Sequence, residues 1–169
     1  MPQNPYQHGR TLAVAFEGWN DAGDAATGAM RRRRVLLDLA VIHEVDPEVY
    51  IDYQFSRPIV SSDDDGARRI IWPGITMYGP ADPLAVLRID DVEPGAPRVV
   101  GENADNLYLL FGTEPSRAWK TFATEIVETA LAHDIEFVIL LGALLADVPH
   151  SRPISVFGTS ASREVRRAF

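Results

Sequence analysis

The side chains able to move protons or hold anions gather in three short polar stretches of this 169-residue chain. Glu17, Trp19, Asn20 and Asp21 form the first, Thr113 and Glu114 the second, and Asp147, His150, Ser151 and Arg152 the third. Carboxylates brought close together raise one another's pKa and so supply an acid or a base, and an arginine beside them binds an anion. The same residue types also serve as helix caps, turn formers and interface groups, and no complete catalytic motif decides between these uses. Ser151 lacks the G-x-S-x-G elbow, and His8, His43, His133 and His150 show no H-E-x-x-H spacing. Gly18 and Gly23 are spaced like the first glycines of a phosphate loop, but the Lys and Ser/Thr that must follow are absent, and so is G-x-G-x-x-G. Asp63, Asp64 and Asp65 do not alternate as calcium ligands do, and there is no cysteine for a thiolate site. Neither a metal nor a cofactor is expected.

Each polar stretch follows an apolar run. Residues 12–16 (L-A-V-A-F) have the unbroken apolar character of a strand buried on both faces. Ala22, Ala25, Ala26, Ala29, Met30, Leu36 and Leu37 then recur at helical spacing to about Asp38, with Asn20 or Asp21 placed to cap that helix and Asp24 in its first turn. Gly23 and Gly28 inside such a helix imply close approach to the sheet. Residues 39–45 make the next strand. Residues 59–62 and 68–72 flank an Asp-Gly turn and form a hairpin. Residues 74–106 follow Pro73 and carry four more prolines, so they read as a surface excursion holding at most a strand at 85–89. Residues 107–111 form another strand, Pro115 opens a helix whose face is Trp119, Phe122, Ala123, Ile126, Val127 and Ala130, and residues 137–141 close a right-handed parallel unit. A last strand at 154–157 and a final helix opened by Gly158, Thr159 and Ser160 complete the pattern. Alternating strands and helices define an open α/β sheet, whose ligands collect at the carboxyl edge, where the three polar loops would meet.

Composition bounds the rest. The length suits one domain, 12–169, behind a flexible tail of residues 1–11 without the apolar core of a secretory signal. No apolar run approaches the ~20 residues a membrane span requires. The absence of cysteine fits a reducing cytoplasm. A net charge of −8 argues against general nucleic-acid binding, which depends on Lys and Arg neutralising phosphates. The run Arg31, Arg32, Arg33 and Arg34 cannot form one flat patch, because a helix turns ~100° per residue; it reads as a solvated face with one arginine at its edge, or as a partner or phosphate contact.

Several of these stretches together resemble the bacterial branch of the proteasome assembly chaperone 2 family. They are A-F-E-G-W-N-D-A-G-D-A-A at 15–26, the Gln54, Arg57, Pro58 segment, I-I-W-P at 70–73, G-T-E-P-S-R-A-W from Gly112, and L-G-A-L-L-A-D-V-P-H-S-R-P at 141–153. The resemblance implies a three-layer αβα sandwich with a mixed, largely parallel central sheet, similar to purine nucleoside phosphorylases. Bacterial proteins of this kind are mostly of undetermined function, and the better-understood relatives are noncatalytic chaperones that help build the proteasome α ring, so the resemblance implies proteasome subunits or another protein complex as partners. Family members are longer, so the chain reads as an amino-terminal portion, and Arg167, Ala168 and Phe169 lack the tyrosine of the hydrophobic-tyrosine-any tail through which such chaperones dock. The expected function is a nonenzymatic protein-interaction or assembly factor. The alternative is a nucleoside- or phosphate-binding protein or hydrolase-like enzyme using Glu17, Asp21, Glu114, Asp147, His150 and Arg152. Trp19 is expected against a neighbouring loop or subunit, and the chain as a homo-oligomer, trimer ahead of dimer.

Overall fold

A computed structural model describes residues 9–63, 65–81, 106–149 and 151–166. Strand β1 (Arg10–Glu17) is followed by a 3-10 turn (Ala22–Asp24), α1 (Ala25–Leu37), β2 (Ala40–Val45) and the short helix α2 (Pro47–Tyr50). Then come β3 (Ile59–Ser62), β4 (Arg68–Ile71), β5 (Ile75–Gly79), β6 (Leu107–Thr113), α3 (Trp119–Ala132), β7 (Ile135–Leu140) and α4 (Arg163–Arg166). Five strands form the central sheet in the order β2-β5-β6-β1-β7, while β3 and β4 pair as a separate antiparallel hairpin. β1 runs parallel to β6 and β7, β5 is antiparallel to β6, and β2 is antiparallel to β5. Four of the five strands therefore point the same way, and the mixed, largely parallel sheet is as expected.

Strand alternation divides the core between the two faces of this sheet. Ala13, Ala15, Leu109 and Phe111 face α1 and pack with Ala26 and Met30, whereas Leu12, Val14, Tyr108 and Leu110 face α3 and pack with Phe122, Tyr50, Ile51 and Met77. Helices on both faces give the three layers. Each fully buried Leu, Ile or Met contributes roughly 1.5–3 kcal/mol. The helical stripes are rotated from those expected. On α1 the buried positions are Ala26, Thr27 and Met30, with Ala25, Ala29 and Leu36 exposed; on α3 they are Phe122 and Ala130, with Ala123 and Val127 exposed.

Five other expectations need correction. Residues 75–79, read as part of a loop, form the strand between β2 and β6, with Ile75 and Met77 fully buried. Pro115 does not open a helix: the amides of Ser116 and Arg117 donate to the Tyr50 carbonyl (2.9 and 3.2 Å), holding this segment against α2 until Ala118, at φ 52°, turns the chain into α3. Residues 154–157 pair with no strand among the described residues, and Ile154, Val156 and Phe157 are exposed. Gly23 lies in the kink before α1 at φ 68°, and a Cβ at Gly28 would meet nothing within 4 Å, so neither marks close packing of helix on sheet. Arg10 and Thr11 belong to β1 and not to a tail, while the expected strand at 85–89 lies outside the described residues.

On the α3 face, Glu125 accepts from the Tyr50 hydroxyl (2.5 Å) and meets His43 Nε2 (2.7 Å), joining α3 to α2 and β2. The hydrogen bond to Glu125 is the main cause that pushes the Tyr50 hydroxyl up to about 12, with burial and the carboxylate's charge adding to it. The tyrosine holds its proton more tightly folded than unfolded, so its contribution to stability is intact below pH 10.0 and is lost as pH rises towards about 12. Glu125→Ala is expected to bring the Tyr50 titration back towards its ordinary value, read as phenolate absorbance of the folded protein. An unchanged Tyr50 titration would contradict the assignment.

Candidate functional site

Because β1 and β6 are parallel neighbours, their carboxyl ends coincide, and Glu17 is in register with Thr113. β5 enters the sheet from the same edge, with Ile75 opposite Gly112, so residues 72–74, which lead out of the hairpin, are delivered there too. Thr113 Oγ1 donates to Glu17 Oε2 (3.2 Å), and Arg31, one turn beyond Thr27 on α1, pairs with Glu17 Oε1. Arg31 is thus the member of the basic run that reaches the site. Arg34 instead lies over the Tyr78 ring, 4.6 Å from its centroid, and that ring stacks on Phe111 at 5.0 Å; Arg32 and Arg33 are exposed.

Asp21 performs the capping expected of it. Its carboxylate accepts from the amides of Ala26 (2.6 Å) and Thr27 (3.0 Å) and from the Thr27 hydroxyl (2.5 Å), with the aspartate 3% exposed. Burial by itself raises the pKa of this carboxyl, but the bonds from Thr27 and Ala26 and the charge of Arg31 outweigh it and hold the group below its ordinary value. Asp21 stays ionised and committed to the start of α1. On its other side the chain is joined to the loop after β7: the Ala22 amide donates to the Ala143 carbonyl (3.0 Å) and the Ala143 amide to that of Asn20 (2.7 Å).

The cleft at this edge encloses about 590 Å3 and opens to solvent. Glu17, Arg31, Thr113, Thr76 and Tyr78 line it from the sheet side, Ile59, Ile71 and Trp72 from the hairpin, and Ser56 and Arg57 from the segment before β3. Among the expected residues, Glu17 and Thr113 meet here. Asp21 and Asn20 border the turn beneath, and Glu114 is half-buried just beyond β6 without lining the cleft. Asp147, Ser151 and Arg152 are exposed on the segment after residue 143 and line no part of it, while His150 lies outside the described residues. Trp19 is 89% exposed, so it packs neither in the core nor against a loop of its own chain. Arg57, Trp72, Thr76 and Tyr78 were not expected at the site as chemistry-bearing residues. The signal for the first two was their place in the Gln54, Arg57, Pro58 and I-I-W-P segments.

A three-layer α/β protein with a mixed sheet and an arginine-bordered cleft at its carboxyl edge is the class this geometry defines. Within that class the chain belongs to the PAC2 family, whose family model matches residues 15–169. It is similar to the crystal structure of a PAC2 family protein from Streptomyces avermitilis (35% identity, TM-score 0.71) and, with the same values, to that of a proteasome-assembly chaperone homologue from Mycobacterium tuberculosis. Each comparison covers 94% of this chain and 60% of the solved one, so the chain spans less than two thirds of those relatives' length. A protein of unknown function from M. tuberculosis is also similar, at 26% identity and TM-score 0.74 over 95% of this chain and 50% of that one. No curated protein matches the chain.

Proposed function

We propose that the protein is a nonenzymatic protein-interaction factor that works in the cytoplasm and takes part in assembling a protein complex, with proteasome subunits as the first candidates. The observation that carries this reading is the 35% identity to a proteasome-assembly chaperone homologue across 94% of the chain. The surface agrees with it. Phe55, Val60 and Ile70 on or beside the hairpin, and Val138 and Leu140 on edge strand β7, are exposed large apolar side chains, and clusters of that kind mark interaction surfaces. Strand edges left open among the described residues add unpaired backbone groups ready to join another chain, which supports self-association; the oligomer proposed is a homo-oligomer, trimer ahead of dimer.

Affinity capture of the tagged protein under native conditions, with the bound fraction identified by mass spectrometry, tests the assembly role. Recovery of a defined complex is expected, and its absence would remove the reading. Light scattering coupled to size exclusion tests the oligomer over a range of concentrations: a monodisperse species of 18.7 kDa throughout would overturn it.

A further inference from the structure

We propose that the cleft between the sheet's carboxyl edge and the β3–β4 hairpin is a groove for an extended, apolar peptide segment that carries a carboxylate. This rests on the protein-interaction reading above and names what that site recognises. The cleft's two sides differ in character. On the sheet side Glu17 is already neutralised by Arg31 and bonded by Thr113, so the charged groups there are spent on one another. On the hairpin side Ile59, Ile71 and Trp72 line the cleft and yet remain 62%, 45% and 56% exposed, an apolar wall that the described residues leave largely uncovered.

Charge decides the polar end of the occupant. Arg57 borders the same cleft, is exposed, and among the described residues makes one hydrogen bond, a long one from Nε to the Gln54 carbonyl (3.4 Å). Its remaining guanidinium donors have no carboxylate among the described residues, although the chain as a whole carries a net charge of −8. A planar fork of this kind is matched by a carboxylate, which it holds through two parallel bonds.

Backbone decides the shape. The hairpin is a two-stranded sheet with both outer edges unpaired among the described residues, and an extended chain satisfies such an edge while setting alternate side chains against the wall beside it. Gly18 and Gly74 also line the cleft, and a Cβ at either would meet nothing within 4 Å, so the floor has room for a main chain to lie close.

A random octapeptide library provides the probe, selected against the full chain once with free carboxyl termini and once amidated, with binding of enriched peptides read by fluorescence anisotropy. Enrichment of apolar peptides bearing a carboxylate is expected. Enrichment confined to the free-terminus arm would place that carboxylate at a chain end, and enrichment of internal Asp or Glu in the amidated arm would place it on a side chain. Arg57→Glu and Gly74→Leu, the latter placing a side chain in the open space of the floor, should each weaken binding by about tenfold or more. Arg57 is exposed and Arg57→Glu should keep the wild-type melting temperature, so loss of binding cannot be assigned to misfolding.

No enrichment in either arm, or enriched peptides that bind both variants as tightly as the wild type, would overturn the proposal. A partner complex captured equally well by wild type and Arg57→Glu would leave the assembly reading standing and remove this one. Carboxylate-dependent peptide binding without any captured complex would do the reverse.

Discussion

Gly112→Ala is expected to destabilise the protein by about 4 kcal/mol, near the upper end for a single substitution. The backbone at Gly112 has φ +146°, which side-chain-bearing residues rarely adopt, and a Cβ there would come within 2.0 Å of the Gly74 carbonyl oxygen. That oxygen accepts from the Thr113 amide at 2.9 Å, so it cannot retreat without breaking the contact that seats the start of β5 against the end of β6. Gly74→Ala is the informative control, because its Cβ meets open space and its φ is not in the left-handed region; it should be neutral or slightly stabilising. Urea unfolding of the two variants checks the pair. A Gly112→Ala midpoint equal to that of the wild type would show that the two strands can part at no cost.

Asp21→Ala should cost about 3 kcal/mol, since it removes a helix cap and leaves the buried Thr27 hydroxyl and two amides without their acceptor. For a domain of this size that corresponds to a fall of roughly 6–12 °C in melting temperature. Asp21→Asn keeps one acceptor oxygen but turns an amide group towards donors, and about 1–2 kcal/mol is expected. The pH dependence separates charge from shape. The folded carboxyl titrates below its ordinary 3.8, so its contribution is present above that pH and is lost as the pH falls through the lowered value. Melting curves from neutral pH down through 3.8 should show this acid-side loss in the wild type and not in Asp21→Asn. An unchanged melting temperature in Asp21→Ala would mean that Asp24, at the formal start of α1, suffices as its cap.

What could be read from sequence was what period and punctuation encode locally. The runs at 12–16 and 107–111 are almost uniformly apolar because β1 and β6 are covered on both faces, so those strands were legible to within two residues. β5 was hidden for a physical reason. Ile75, Thr76, Met77 and Tyr78 alternate buried with half-buried, but Pro73 and Gly74 before them and Pro80 after them carry the signature of a loop. Residues 154–157 show the reverse error, an apolar run read as a strand whose neighbours the run itself cannot reveal. At the site, the places of Glu17 and Thr113 followed from their position at strand ends, and the capping role of Asp21 from its position between strand and helix. The cleft's second wall did not, because the path of the hairpin back to the sheet edge depends on β5.

The place of β1 between β6 and β7 has a consequence for the newly made chain. Leu12 must align with Tyr108 on one side and Val138 on the other, so among the described residues this strand is flanked only by strands encoded about a hundred residues later. At ~5–20 residues per second, a ribosome needs about 5–20 s to supply the first of those neighbours. For that interval residues 10–17 are an apolar strand with neither edge satisfied, and no partial sheet built around them can form early. Folding of the central layer is therefore delayed until β6 and β7 have emerged, and the delay is set by the order of the strands and not by their individual propensities.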